Sequence, residues 1–535
     1  MVMSITPADL RNVQESESPH ALIDVRERGE YALDQIFGAV PVPRGQLEMK
    51  IPAIVPWFDA PVIVYCDDGF RSARAAETLE QIGYQRVSVL QGGIDAWKAA
   101  GFETVYGVNV IGKDYGEKVA VRDGIVQLTP EQVREMQERD KVFVLDSRTR
   151  EEFEKSHVPG AFSVPGGELP VHVLTLLEQP ENQDAKVVVN CAGRTRSILG
   201  ADVLRRMGLN QVYALENGTM AWTMAGLELE HGPAQDLNLP RSEQAWQRAA
   251  EFASNMADEA NVSGISVSEL QRAQASAGWH YVVDVRLPEE YESGHVPGAV
   301  SCPGGQLANA LDEYIGLRQA RPVCVSNDET RAKIGAALCK RIGYSDIVYL
   351  KGGMEAWRAA GGDIVSGHES PRIPGLDEIR GAIDEVSPAE LSALLGSATA
   401  PWIIDVRRSS EYAGGHVEGS TWVPRGDLER RIERHISEPN QPIVVISNRG
   451  ERATFAVRTL HALGYGNVAV LAGGLDAWRQ DGFDLVEGLD GADVSLQEAK
   501  EDADLVNRPS ALARNRDDMV AYLEWETRLG DKYEQ

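Results

Sequence analysis

The sequence predicts an α/β chain made of four tandem copies of one unit, each a parallel sheet flanked by helices on both faces. Two motifs recurring four times in fixed order, domain-sized steps between the copies, and alternation of short apolar runs with helical patterns carry that prediction. The first motif stands as ALIDVRERGEY (21–31), FVLDSRTREEF (143–153), YVVDVRLPEEY (281–291) and WIIDVRRSSEY (402–412). The second stands as QGGIDAWKAAG (91–101), ENGTMAWTMAG (216–226), KGGMEAWRAAG (351–361) and AGGLDAWRQDG (472–482). The first Asp of each D-x-R element, at Asp24, Asp146, Asp284 and Asp405, sets steps of 122, 138 and 121 residues. Those steps are too long for a solenoid repeat and suit a domain.

Within the first copy, ALIDV (21–25) reads as a strand and PVIVYC (61–66) as a second, buried one. SARAAETLEQIG (72–83) follows as a helix ended by Gly83, and RVSVL (86–90) as another strand. Near-continuous β-branched runs separated by helices indicate a parallel sheet covered on both faces. The copies span 1–107, 128–231, 263–367 and 385–487. Residues 108–127 read as a mixed, turn-rich connection. Residues 241–260 read as an amphipathic helix, with Trp246, Ala249, Phe252 and Met256 on one face, packed between the two halves of the chain. The tail, 488–535, starts acidic and ends in a helical stretch, MVAYLEWETRLG (519–530), docked through Tyr522, Leu523 and Trp525.

Composition narrows the function. The 535 residues are 43% hydrophobic and 25% charged, as in a soluble globular protein. Lys and Arg number 53 against 81 Asp and Glu, and the net charge of −28 repels phosphate backbones and anionic membranes. Neither nucleic acid nor membrane is expected as a partner. Five cysteines without a CxxC pair make neither a disulfide framework nor a zinc site, so no metal and no cofactor are expected. The N-terminal residues lack a secretory pattern and no run of 18 apolar residues occurs, which gives a cytoplasmic expectation.

Chemistry concentrates where a buried strand meets a helix. PVIVYC ends in Cys66, followed by DDGF and then Arg71-Ser72; VVVNC ends in Cys191, followed by AGRT and then Arg196-Ser197. Both loops read C-x4-R-S, outside the carboxyl end of a strand, a favoured ligand position in a parallel sheet. Backbone N–H groups at the helix start make an anion cradle. A thiol there is expected below its ordinary value of about 8.5, because the dipole and Arg stabilise thiolate. Cys302, Cys324 and Cys339 read instead as buried apolar cysteines.

The D-x-R element, the turns SHVPGA (156–161) and GHVPGA (294–299), the C-x4-R-S loop and the GG-x-x-AW ending together resemble the rhodanese family of sulfurtransferases. The likeness is to its small bacterial members, covers nearly the whole chain, and makes each copy a rhodanese-like domain. It implies a thiolate that takes the outer sulfur of a donor as a persulfide, which an acceptor then strips. It casts Cys66 and Cys191 as catalytic, with Gly69, Arg71, Ser72, Gly193, Arg194, Arg196 and Ser197 binding substrate. Cys66 precedes Trp97, and Cys191 precedes Trp222, by 31 residues; the same distance before Trp357 and Trp478 falls on Ser326 and Ser447. Those serines precede Arg331 and Arg452 as the cysteines precede Arg71 and Arg196. Serine forms no persulfide, so copies three and four are expected to be inactive, degenerate sites.

The implied partners are a small sulfur donor such as thiosulfate and a cyanide, thiol or protein acceptor. The competing class is a non-enzymatic persulfide carrier or scaffold whose inactive half docks a partner protein. Related phosphatases carry C-x5-R, one residue more, to admit a tetrahedral phosphate. The two cysteine loops also differ in charge: CAGRTRS (191–197) should welcome an anionic donor through Arg194 and Arg196, whereas Asp67 and Asp68 offset Arg71 in CDDGFRS (66–72). Cys191 is therefore expected to load from thiosulfate, and Cys66 to work with a thiol, persulfide or protein. Two-domain mitochondrial-type members carry an Arg in the turn where this chain has Phe37, Pro159, Pro297 and Glu418, and in the first copy Gln35 or Ile36 replaces the turn His. Asp24/Arg26, Asp146/Arg148, Asp284/Arg286 and Asp405/Arg407 recur in all four copies and read as structural ion pairs. The four tryptophans read as core, and Arg44 and Arg425 as solvated surface arginines. The Ser447 loop, with Arg449 and Arg452, reads as a degenerate scaffold rather than an anion site.

Overall fold

The computed structural model describes residues 3–240, 242–276, 278–369, 372–397, 400–436, 440–491 and 516–534; the tail between 492 and 515 lies outside the described residues. Each repeat folds as a five-stranded sheet whose strands, numbered along the repeat, lie in the order 1-5-4-2-3. The pairings are all parallel. In the first repeat the strands are Met3–Ile5, Ala21–Asp24, Val40–Pro41, Pro61–Tyr65 and Arg86–Leu90. The apolar runs do form the central strands. The edge strands Met3–Ile5 and Val40–Pro41 went unrecognised because runs of two or three residues have no periodicity to read.

Each D-x-R Asp closes the second strand and is wholly buried. Its Arg folds back on it, with Arg26 Nη2 2.7 Å from Asp24 Oδ2 and Arg148 Nη2 2.8 Å from Asp146 Oδ2. Arg286 and Arg407 do the same at 2.6 and 2.7 Å. The turn histidines are also structural: His157, His295 and His416 stack on Phe153, Tyr291 and Tyr412 with ring centroids 3.9, 3.6 and 3.7 Å apart. Gln35 is their counterpart in the first repeat, since it bridges Val105 as those histidines bridge Glu230, Val365 and Val486.

The chain forms two compact units, residues 1–108 with 371–511 and residues 109–370 with 512–535. Each thus joins a cysteine-bearing repeat to a serine-bearing one. In the first unit, Pro43-Arg44-Gly45 and Pro424-Arg425-Gly426 meet and exchange ion pairs: Arg44 Nη2 lies 3.0 Å from Glu429 Oε1, and Arg425 Nη2 3.2 Å from Glu48 Oε1. Arg44 and Arg425 are 2% and 1% exposed, which overturns the expectation of solvated arginines. In the second unit the equivalent segments are Pro165-Gly166-Gly167 and Pro303-Gly304-Gly305. A Cβ on Gly166 would lie 2.9 Å from Gly305 Cα, so glycine there permits backbone-to-backbone packing.

Three helices outside the repeats belong to the second unit. Glu243–Glu259 packs an alanine-rich face (Ala245, Ala249, Ala253, Ala257, with Met256) on Leu169–Glu178 of the second repeat and Thr330–Arg341 of the third. It therefore joins a repeat from each half of the chain, through alanines more than through Trp246 and Phe252, which are only half-buried. The connection 108–127 is not turn-rich: Val110–Arg122 is a helix. Its glycines, which read as turn signals, are close-approach points. Gly112 sits against the backbone of Ala308 and Asn309, and Gly116 against Thr195. The tail ends in the helix Arg516–Arg528, which docks on this linker helix with Tyr522, Leu523 and Glu526 buried.

Candidate active site

Both cysteines stand one residue past the fourth strand of their repeat, before the helices Phe70–Gln81 and Thr195–Arg206. The geometry brings the other predicted loop residues around them. Cys66 Sγ accepts from Gly69 N at 3.2 Å and lies 3.5 Å from Ser72 Oγ. Cys191 Sγ lies 3.5 Å from Ser197 Oγ, and that hydroxyl donates to Arg194 O at 2.8 Å. Gly69 takes φ +98°, a left-handed conformation that starts the helix with its N–H aimed at the sulfur. Gly193 instead borders Met220, Glu526 and Tyr522.

The silent loops keep the same cradle. Ser447 Oγ accepts from Gly450 N and Ala453 N, each at 3.2 Å, and Ser326 Oγ accepts from Ala332 N at 3.2 Å. Where the cysteine loops have Ser72 and Ser197, these loops have Ala332 and Ala453. In the third and fourth repeats the D-x-R arginine also reaches the loop, with Arg286 Nη1 3.1 Å from Asn327 Oδ1 and Arg407 Nη1 3.2 Å from Asn448 Oδ1. The Ser447 loop lines a cleft of about 530 Å³. Its arginines are committed, Arg449 to Asp476 at 3.2 Å and Arg452 to Glu411 at 2.9 Å.

The second motif explains itself at these loops. Gly93 and Gly218 hold φ +60° and +55°, and a Cβ on either would fall 2.2 Å from a loop carbonyl, Asp67 O or Cys191 O. The next residues donate to the loop, Ile94 N to Cys66 O at 2.8 Å and Thr219 N to Cys191 O at 3.0 Å. Trp97 and Trp222 are core, each donating its indole N–H to a backbone carbonyl at 3.0 Å.

The electrostatics differ from the sequence expectation. Burial pushes the Cys66 thiol up rather than down; Ser72 and Arg71 pull the other way without cancelling it, and Asp67 adds to the rise. Arg71 itself is held 2.6 Å from Glu30 and 2.9 Å from Asp67. Arg196 is bound to Glu152 at 2.7 and 2.9 Å, and Arg194 to Glu117 at 2.6 and 2.8 Å. Burial pushes Glu152 up, but Arg196 outweighs it and brings the carboxyl down to about 2. Both arginines that the sequence offers to an anionic donor at Cys191 are thus engaged by carboxylates. Asp68 is likewise countered, by Arg430 of the fourth repeat at 3.2 Å; that guanidinium also stacks 4.2 Å from the centre of the Phe70 ring. The Cys66, Asp67 and Asp68 donor atoms lie within 4.8 Å of one another, but both carboxylates carry these guanidinium partners.

Sequence reasoning missed Glu30, Glu117, Glu152, Glu526 and Arg430. Glu30 and Glu152 had a readable signal, because each sits in the capping box of the helix after D-x-R. The others come from outside their loop's repeat and had none.

Comparison with known proteins follows this geometry. The rhodanese-like domain family matches residues 6–100, 129–225, 266–360 and 387–481, and the chain belongs to that family, with four copies of its domain. The crystal structure of a thiosulfate sulfurtransferase from Pseudomonas aeruginosa is similar along its whole length: 33% identity and a TM-score of 0.88, covering 100% of this chain and 98% of that one. A sulfurtransferase of Allochromatium vinosum is 37% identical over 84 residues, 16% of this chain and 77% of that protein. SseB of Mycobacterium tuberculosis is 27% identical over 168 residues, 26% of this chain; the chain spans 59% of that relative's length. Family membership implies sulfur transfer as the class of chemistry. Among the described residues no helix is long and apolar enough to cross a membrane.

Proposed function

We propose that the chain is a two-site sulfurtransferase in which Cys66 and Cys191 carry sulfur as persulfides and the Ser326 and Ser447 loops carry none. The thiolate attacks the outer sulfur of thiosulfate; the S–S bond of the donor breaks and sulfite leaves with its electron pair. The terminal persulfide sulfur then passes to cyanide, a thiol or a protein acceptor, and the thiolate returns. One observation carries this reading: each cysteine sulfur sits in a loop cradle that the serine repeats also build, there around a hydroxyl and with alanine in place of the serine six positions on. The serine repeats each pack on a cysteine repeat inside their own unit, which favours a structural contribution over a free docking half.

Intact mass followed by peptide mapping after incubation with thiosulfate tests it. One added sulfur on Cys191 or Cys66, removed by cyanide or thiol with turnover, is the expected result. Cys66→Ser and Cys191→Ser each remove loading at their own site alone. Sulfur that loads but never turns over with small acceptors would replace the enzyme by a carrier. No loading from thiosulfate, 3-mercaptopyruvate or a protein persulfide would end the reading.

A further inference from the structure

The Cys191 loop is roofed by two segments that lie outside all four repeats, the linker helix Val110–Arg122 and the tail helix Arg516–Arg528. The linker helix touches the loop through Glu117 on Arg194 and Gly116 on Thr195, and the tail helix touches it as well. Thr195 Oγ1 donates to Glu526 Oε1 at 2.9 Å, and Gly193 lies against Glu526 Oε2 and Tyr522. Lys113 stands in this roof, 6% exposed. Its ammonium donates to the Tyr522 hydroxyl and lies 4.8 and 5.7 Å from the Tyr522 and Trp525 ring centres. An ammonium has three N–H donors, and among the described residues one of them is taken, by a neutral phenol.

Charge accounting picks this residue out. A persulfide, like a thiolate, is an anion, and a half-closed site must supply it a counter-charge. Both loop arginines are committed to carboxylates in bidentate pairs, Arg194 to Glu117 and Arg196 to Glu152. Tyr522, which takes the Lys113 ammonium, borders Gly193 two positions from Cys191. Burial pulls the Lys113 ammonium down, with Glu526 opposing that fall and Arg196 adding to it.

We propose that Lys113 is the counter-charge of the sulfur-bearing state of Cys191, held in place by Tyr522 of the tail helix. The assignment rests on the sulfurtransferase reading, yet its central measurement does not need sulfur chemistry. Iodoacetate and iodoacetamide alkylate the same thiol but differ by one negative charge. Their rate ratio at a given cysteine therefore reads the local positive charge, while a change in access moves both rates together.

In the full chain, Lys113→Met should lower the iodoacetate to iodoacetamide ratio at Cys191 roughly tenfold, the scale of one lost opposite charge at close range. The ratio at Cys66 in the same sample should hold, and Lys113→Arg should restore the ratio at Cys191. Tyr522→Phe, which removes only the hydrogen bond, should lower the ratio less. Sulfur loading from thiosulfate should fall at Cys191 and persist at Cys66. An unchanged ratio in Lys113→Met overturns the proposal, as do two rates that rise in step because the roof has opened. If the parent protein takes no sulfur at either cysteine, the transferase reading fails while the ratio still decides the role of Lys113.

Discussion

At Cys66, burial and Asp67 together outweigh Ser72 and Arg71, so the thiol ionises above its ordinary value. Thiolate is the reactive form, so its fraction at Cys66 grows as pH rises through that displaced value. Alkylation or sulfur loading at Cys66 is expected to keep accelerating past roughly pH 8.5, where an ordinary thiol is half ionised. Asp67→Asn should move the midpoint down, and a plateau already reached near neutral pH would contradict the account. The carboxylates that hold the loop arginines titrate the other way. Glu152 and Glu411 are pulled down to about 2, by Arg196 and Arg452 acting against burial. A carboxyl depressed in the folded state contributes stability that is complete above its unfolded value, roughly 4.3, and is lost as pH falls toward 2. Urea midpoints should therefore drop across that window. Glu152→Gln with Glu411→Gln should flatten the drop.

At the scale of the element, the short helix that begins GG-x-x-AW is a clamp on the cysteine loop. Gly218 is the point of closest approach, with φ +55° and no room for a methyl beside Cys191 O. Gly218→Ala combines left-handed strain with a backbone clash, and should destabilise its unit by at least about 2 kcal/mol. Sulfur loading should then be lost at Cys191 and kept at Cys66, whose loop lies in the other unit. Peptide mapping of the variant after thiosulfate checks this. Equal loading at both cysteines would show that the clamp does not set loop geometry. The linker helix makes the opposite point about glycine. Gly112 and Gly116 lie inside a helix that their sequence argues against, because packing on Ala308–Asn309 and Thr195 repays the lost propensity.

At the scale of the whole molecule, each unit pairs a cysteine repeat with a serine repeat, and in the first unit the seam is a buried charge cluster. Arg44, Arg425 and Arg458 face two carboxylates, Glu48 and Glu429. Three cations to two anions means that losing an anion is worse than losing a cation. Glu48→Gln is expected to destabilise the unit by about 3–5 kcal/mol, the scale of a broken buried pair, and Arg44→Met by less. Chemical denaturation that ranks them in the reverse order would refute the charge count. The seam also explains Arg430, which reaches from the serine repeat to Asp68 beside Cys66.

The sequence by itself determined the repeat, the sheet class, the two cysteine loops and the serine exchange. All of these are local: a strand-to-helix loop six residues long, a D-x-R pair two residues apart, and β-branched runs at fixed spacing. Arg26 must find Asp24 whatever else surrounds it. What Arg194 and Thr195 pair with was decided by tertiary structure, because Glu117 lies 77 positions from Arg194 and Glu526 lies 331 from Thr195. Whether Arg44 is solvated or buried depended on Glu429, 385 residues away. Charge near a thiol acts through space, so Glu117, Glu526 and Arg430 could not be read from spacing along the chain, whereas Glu30 and Glu152 could, from the capping box after D-x-R.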